Sequence, residues 1–234
     1  SNTGYTAMTS LSLGSKFNTA KVTNMESMFQ NCGYTAMTSL DLGSLFDTSN
    51  VTNMNNMFNQ CGHKLMATLN LGSKFNTANV TTMAGMFYQA GRYKLTSLNL
   101  GSQFDTSKVT NMAYMFNWMQ ALNSLSLGTN FDTSNVTTMA GMFWGTGYSN
   151  MTSFSLGSKF NTKKVTNMNS MFYDFAGIKL TSLDLGDQFY TTNVTDMTKM
   201  FYQTGGATMT SIDLGPAFTK IAGTNTDTVS YTHL

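Results

Sequence analysis

The side chains that commonly carry catalysis are few in this chain and stand apart from one another. Its only histidines are His63 and His233, and neither lies at a spacing from a Ser, Cys or Asp that is typical of a catalytic triad. Aspartates recur at positions where other copies of the same phrase have Asn or Ser, as at Asp41 and Asn70. Because either side-chain oxygen can accept a backbone N–H, this exchange indicates turn capping. We therefore predict no enzymatic activity.

Metal ligands are present, but their pattern favours a structural role. The 20 methionines would suit copper, since thioethers are soft ligands. All of them except Met119 fall at three recurring positions of a repeated phrase. Each set of equivalent positions is called a column here, and these columns have no Cys or His beside them, which favours core filling. Asp47 or Asp105 could bind calcium together with carbonyl oxygens, although no Asp-rich Gly ladder is present. We predict neither a metal nor a cofactor.

Cysteine and threonine recur at fixed spacings as well. Cys32 and Cys61 stand 29 residues apart, and we expect two neighbouring buried free thiols, with a disulfide as the alternative. Threonine forms two unbroken columns, and regular threonine ranks on a flat face resemble those of ice-binding proteins. We prefer the alternative that the hydroxyls cap turns or bond stacked neighbours. The columns are Thr23, Thr52, Thr81, Thr110, Thr137, Thr166 and Thr195, and Thr19, Thr48, Thr77, Thr106, Thr133, Thr162 and Thr191.

A repeat of 29 residues positions all of these side chains. The dipeptide Leu-Gly recurs with successive gaps of 29, 29, 29, 27, 29, 29 and 29 residues. A fixed period of this size predicts a stack of similar supersecondary units rather than a closed globule. The chain begins in the middle of a repeat, so we expect it to be part of a longer array. We predict one solenoid over residues 1–218, with 219–234 as a C-terminal cap or the start of another module.

Each unit is expected to begin with a short strand. In the second copy, Leu40 and Leu42 alternate with polar residues, as in a half-buried strand that ends at Gly43. Val51 then opens either a short helix or a second short strand followed by a single helical turn. We prefer the second interpretation because Thr and Asn are weak helix formers. Stacked units would place about eight short strands in one parallel β-sheet.

The composition excludes several classes of protein. The chain is 41% apolar and 10% charged, with a net charge of +2 and a mean hydropathy of −0.15. No apolar run approaches the length of a membrane span, and no basic stripe is typical of a nucleic-acid-binding protein. Frequent aromatic residues and low charge argue against disorder. We predict an ordered chain that is a monomer in isolation.

One phrase carries a family resemblance. The pattern F-[ND]-T-x-x-V-T-x-M-x-x-M-F occurs six times, and a seventh copy departs only at Tyr190. This repeat resembles that of the BspA-like leucine-rich-repeat family of bacterial surface proteins, from about Met8 to Phe218. The resemblance implies a right-handed leucine-rich-repeat solenoid, located on the bacterial cell surface or secreted, that serves adhesion or binds host proteins. It identifies no ligand, because such repeats are scaffolds whose function lies in grafted surfaces.

The best binding candidates are the segments that do not repeat. Between each Met-Phe pair and the next strand lie variable loops rich in aromatic residues and Arg, the types that dominate interface hot spots. The fifth strand arrives two residues early, which should indent this edge near Trp118 and Trp144. Packing of these two side chains as ordinary core is the alternative. The candidate surface is Tyr88, Arg92, Tyr93, Trp118, Trp144, Tyr148, Tyr173 and Tyr202.

Three hypotheses about function follow from the sequence. The leading one is a bacterial surface adhesin fragment that binds a host or matrix protein, or a glycan, through loop aromatics. The second is a passive structural spacer that holds another domain away from the cell. Ice binding through the threonine columns is a remote third.

Overall fold

The computed structural model describes residues 4–13 and 17–219, and these residues form a parallel β-solenoid. Seven coils are followed by part of an eighth at 209–219. The coils span residues 8–36, 37–65, 66–94, 95–121, 122–150, 151–179 and 180–208. The prediction of a repeat solenoid is confirmed. The proposed cap at 219–234 lies outside the described residues except for Thr219.

Short strands of three residues occupy one side of the solenoid. They are β1 (Ser10–Ser12), β2 (Ser39–Asp41), β3 (Thr68–Asn70), β4 (Ser97–Asn99), β5 (Ser124–Ser126), β6 (Ser182–Asp184) and β7 (Ser211–Asp213), and the one helix of the described residues is the 3-10 helix Gly206–Thr208. Pairing is parallel and in register, with Leu40 opposite Leu11 and Leu69. The sheets are β1-β2-β3, β4-β5 and β6-β7. The strand side is therefore built in three pieces.

Coil 6 contains no strand, which corrects the prediction of about eight strands in one sheet. Phe154 stands where the neighbouring coils have a smaller Leu, and its ring packs edge-on against Phe143 (5.2 Å) and Phe175 (5.1 Å). Phe175 is itself buried at a position that holds Thr146 in coil 5. We attribute the lost strand to these two large rings, because added volume in a packed interior displaces the backbone.

A second row of parallel contacts runs along the solenoid without interruption. Single-residue bridges join Asn24, Asn53, Thr82, Asn111, Thr138, Asn167 and Asp196. A run of turns follows each bridge. The N–H of Met57 closes a turn onto Met54 O (3.2 Å), whereas the N–H of Phe58 donates to Met86 O in the next coil (2.8 Å). The expected second strand is therefore only a bridge, and the expected helical turn is replaced by tight turns that alternate with bonds between coils.

The interior is made of stacked columns of identical side chains. Methionines such as Met54, Met83 and Met112 are fully buried. Phenylalanine rings stack from coil to coil, with centroids 5.4 Å apart for Phe58 and Phe87. Because each coil is too thin to bury its own apolar side chains, the stacking itself creates the core. The core-filling interpretation of the methionines is confirmed.

Polar positions of the repeat hold the turns between these layers. Asp41 Oδ1 accepts the N–H of Gly43 (2.9 Å), and Asn70 Oδ1 accepts that of Gly72 (3.0 Å). Asp47 accepts the N–H of Ser49 (2.9 Å), and hydrogen bonds from Ser49 lower the pKa of Asp47. The exchange of Asp and Asn between copies thus reflects turn capping, as predicted.

Candidate binding edge

The segments that vary between repeats all lie along one edge of the solenoid, called here the loop edge. It comprises residues 30–36, 59–65, 88–94, 117–121, 144–150, 173–179 and 202–208. Backbone hydrogen bonds hold these segments in register. The N–H of Gly62 donates to Cys32 O (2.9 Å), and the N–H of Gly91 donates to Cys61 O (3.0 Å). Variable side chains of successive coils are therefore neighbours.

A left-handed residue recurs at one position of every loop. It is Asn31, Gln60, Gln89, Trp118, Gly145, Asp174 or Gln203. At Trp118 φ is 55°, and its N–H donates to Trp144 O in the next coil (2.6 Å). The Trp118 ring lies so close over Gly145 that a side chain at that glycine would collide with it. The sequence therefore places its one Gly at this position directly beside its largest ring.

Aromatic rings of the first coils stack along the loop edge. Tyr5 and Tyr34 lie face to face with centroids 4.7 Å apart, and Tyr34 stacks on His63 at 4.5 Å. His63 then meets Tyr93 edge-on at 5.2 Å. The Arg92 guanidinium continues the series, 5.0 Å from the centre of the Tyr93 ring. Stacking and cation–π contacts thus link four consecutive loops.

The series continues through the later coils. Arg92 also lies 4.6 Å from the Trp118 ring, which contacts Trp144 at 6.5 Å and Tyr148 at 6.4 Å. Tyr173 then packs between Trp144 and Tyr202, at 4.9 Å from each. The complete series, called here the aromatic row, is Tyr5, Tyr34, His63, Arg92, Tyr93, Trp118, Trp144, Tyr148, Tyr173 and Tyr202.

The aromatic row brings together seven of the eight residues of the candidate surface. The exception is Tyr88, which is half-buried and has no ring partner among the described residues. Trp118 and Trp144 are half-buried as well, so each is partly packing and partly surface. Tyr93 is the most accessible member, with 48% of its surface exposed.

Sequence reasoning missed the place of His63 in this row. His63 is 4% exposed, and burial together with the positive charge of Arg92 lowers the pKa of His63 to about 4. It is therefore neutral at pH 7 and serves as a flat ring between two tyrosines. The column of His63 could have indicated this role, because the residue that follows the same glycine is a tyrosine in two other coils, Tyr34 and Tyr148.

The cysteine pair is buried within the loop-edge segments of coils 1 and 2. Both Cys32 and Cys61 are buried free thiols, as predicted. The Cys61 thiol hydrogen-bonds Cys32, which lowers the pKa of Cys32 and raises that of Cys61. Among the residues that the structure describes, no group of three or more His, Cys, Asp or Glu side chains is placed to hold a metal ion.

The two threonine columns occupy different environments. Thr48 is fully buried and its hydroxyl donates to Asn76 O in the next coil (2.7 Å). Thr52 is exposed and its hydroxyl donates to Thr23 O in the preceding coil (3.2 Å). Both columns follow these patterns along the solenoid. The preferred interpretation, that the hydroxyls bond stacked neighbours, is confirmed.

Comparison with known protein families finds a match over nearly the same residues as the repeat. A family described as a Mycoplasma protein of unknown function, DUF285, matches residues 4–100, 64–178 and 95–212. The chain belongs to the DUF285 family. Its repeats therefore belong to a recognised class, which is consistent with the BspA-like repeat resemblance. The specific leucine-rich-repeat assignment stays a prediction. No curated protein and no solved structure matches the chain.

The described part of this DUF285 chain contains no helix that is long and apolar enough to cross a bilayer. This agrees with the hydropathy of the sequence.

Proposed function

We propose that this DUF285 chain is a non-enzymatic binding scaffold of the bacterial cell surface, in the manner of BspA-like leucine-rich-repeat proteins. Its loop edge would contact a host or matrix protein or a glycan. The proposal combines the repeat resemblance with the distribution of constant and variable residues. Scaffolds of this kind place function on surfaces that vary between otherwise identical units.

The separation of constant from variable residues carries the proposal. Constant positions are buried, as Met54 and Phe58 are, hold turns, as Asp41 does, or bond the neighbouring coil, as the exposed Thr52 does. The loop edge instead exposes large apolar side chains, with Leu65 at 44%, Tyr93 at 48% and Ile178 at 46%. Exposed apolar side chains beside Arg and aromatic rings are typical of the hot spots of protein interfaces.

A binding test can use a matched control within the chain. We expect the wild-type chain to bind at least one of immobilised fibronectin, laminin, collagen or an arrayed glycan. Changing Leu65→Ser and Tyr93→Ser together should weaken that binding by about tenfold or more, because two hot-spot contacts of about 1 kcal/mol each are removed.

The control is Tyr114→Ser, which removes an equally accessible tyrosine (42% exposed) that lies outside the loop edge. It should leave the affinity unchanged. Equal affinities for the double variant and the wild type, with both folded by circular dichroism, would show that the loop edge is not the binding surface.

A passive spacer is the second candidate, and the uninterrupted ladders support it. Bridges, threonine bonds and ring stacks continue through every coil, which is what a stiff rod requires. Absence of binding to every member of the panel would favour this role over that of an adhesin.

A further inference from the structure

The charged side chains of the loop edge are all positive in the region where its apolar side chains are most exposed. Lys64, Arg92 and Lys94 lie in the loops of coils 2 and 3. The loop-edge segments of coils 1 to 5 contain no Asp or Glu. None of the three cations has a carboxylate partner within the described residues, and Lys64 and Lys94 are exposed. This part of the edge therefore has an unbalanced positive charge.

The repeat arranges these residues as a small checkerboard. The 29-residue period places Lys64 beside Tyr93 and Leu65 beside Lys94 in adjacent coils. Stacked coils lie about 5 Å apart, so two cations and two exposed apolar side chains alternate within a patch of about 10 Å. Arg92 flanks this patch and is held between the Tyr93 and Trp118 rings. We call Lys64, Leu65, Arg92, Tyr93 and Lys94 the basic patch.

Resting on the proposed binding function, we propose that the basic patch docks an acidic protein segment in which carboxylates alternate with apolar side chains. The cations require negative charge from the partner. Leu65 and Tyr93 require apolar contacts, which a sulfated glycan supplies poorly. The Arg92 guanidinium, 5.0 Å from the centre of the Tyr93 ring, already occupies one face of the only ring in this patch, and a sugar would need such a face for stacking.

Synthetic polymers of defined composition can test this without a known ligand. Fluorescently labelled poly(Glu,Tyr) should bind the full chain at low salt, and binding should weaken as salt is added because charges drive it. Poly(Lys,Tyr) should not bind. Poly(Glu) and heparin, which offer charge without apolar side chains, should bind more weakly than poly(Glu,Tyr).

Charge-reversal variants assign the binding to the patch. Changing Lys64→Glu and Lys94→Glu should weaken poly(Glu,Tyr) binding by about tenfold or more. The control changes Lys21→Glu and Lys163→Glu, which alters net charge equally at two exposed lysines in the turns before the bridge row, outside the loop edge. That control should weaken poly(Glu,Tyr) binding by no more than the small amount expected from its change in net charge.

The outcomes separate this inference from the proposed function. Failure of poly(Glu,Tyr) to bind, or equal losses in both charge-reversal variants, overturns the acidic-segment inference. Heparin binding tighter than poly(Glu,Tyr) and unaffected by Leu65→Ser and Tyr93→Ser would assign the patch to a sulfated glycan and overturn it as well. None of these results decides whether the loop edge binds a matrix protein, which the panel with Tyr114→Ser measures independently.

Discussion

His63 illustrates at the scale of one residue how a substitution within a column changes its chemistry. Tyrosine occupies the equivalent position at Tyr5, Tyr34 and Tyr148, and its ring remains uncharged at acidic pH. Histidine keeps the flat ring and the stacking, but it adds a group that can be protonated. In this environment the proton is unfavourable, because His63 is buried and Arg92 and Lys64 lie nearby.

We predict that His63 makes the solenoid less stable in acid. The folded pKa of about 4 lies below the ordinary value of about 6.5, so the unfolded chain binds a proton first as the pH falls. Stability is therefore complete above pH 6.5 and is lost progressively between pH 6.5 and 4, by up to about 3 kcal/mol.

Thermal unfolding between pH 7 and pH 4 measures this effect. The matched variant is His63→Tyr, which installs the residue already present at Tyr34 and Tyr148. It should lose clearly less stability than the wild type over the same pH range. Identical pH profiles for the two proteins would contradict the assignment.

At the scale of the element, each coil is held by polar ladders as well as by its core. The buried threonine column is an example, since Thr106 Oγ1 donates to Asp132 O at 2.7 Å. In the same coil, the exposed Thr110 Oγ1 donates to Thr81 O at 3.2 Å. Both hydroxyls donate to a carbonyl of a neighbouring coil, but Thr81 O also accepts the backbone N–H of Thr110 (2.9 Å) and so keeps a donor if the hydroxyl is removed.

We predict that these two bonds contribute unequally to stability. Thr106→Val should lower the free energy of unfolding by roughly 1–3 kcal/mol, because it removes the donor of a partly buried carbonyl, Asp132 O, from a fully buried position. Thr110→Val makes the same chemical change at the surface, where water replaces the hydroxyl, and should cost less than about 0.5 kcal/mol. Denaturant unfolding of both variants checks this, and equal losses would contradict the prediction that the buried hydroxyl bond contributes more.

Much of the coil could be predicted from sequence, because the period fixes which residues stack. The alternation at Leu40 and Leu42, the turn capping at Asp41 and the buried methionines all follow from local pattern and column. The lost strand of coil 6 could not be predicted, since it depends on Phe154 and Phe175 meeting inside the coil. Their contact joins residues that are distant within the repeat, and only the three-dimensional packing reveals it.

The sequence predicted which residues form the candidate site, but not which of their side chains contact one another. Alignment of the repeats indicated which loops vary, and it placed seven members of the aromatic row on one edge. It did not reveal that Arg92 joins the Tyr93 and Trp118 rings, because the two-residue deletion in coil 4 disturbs the alignment at that point. It also did not reveal His63, whose role is set by burial rather than by its chemical type.

At the scale of the whole molecule, the solenoid is one-dimensional, and each coil contacts mainly its neighbours. We therefore expect the remaining stack to fold when one whole 29-residue coil is removed, whereas the loop edge differs from coil to coil. Removal of residues 66–94 deletes coil 3 with Arg92, Tyr93 and Lys94. Removal of residues 180–208 deletes coil 7, whose loop exposes no large apolar side chain.

The most direct test of the account compares these two 29-residue deletions for affinity to the panel ligand that the wild type binds most tightly. We predict that both proteins fold and unfold cooperatively, with a lower melting temperature than the wild type because one coil interface is lost. Only deletion of 66–94 should abolish binding, whereas deletion of 180–208 should retain it. Retained binding after loss of residues 66–94 in a folded protein would contradict the claim that binding depends on the exposed apolar and basic residues of the coil 3 loop.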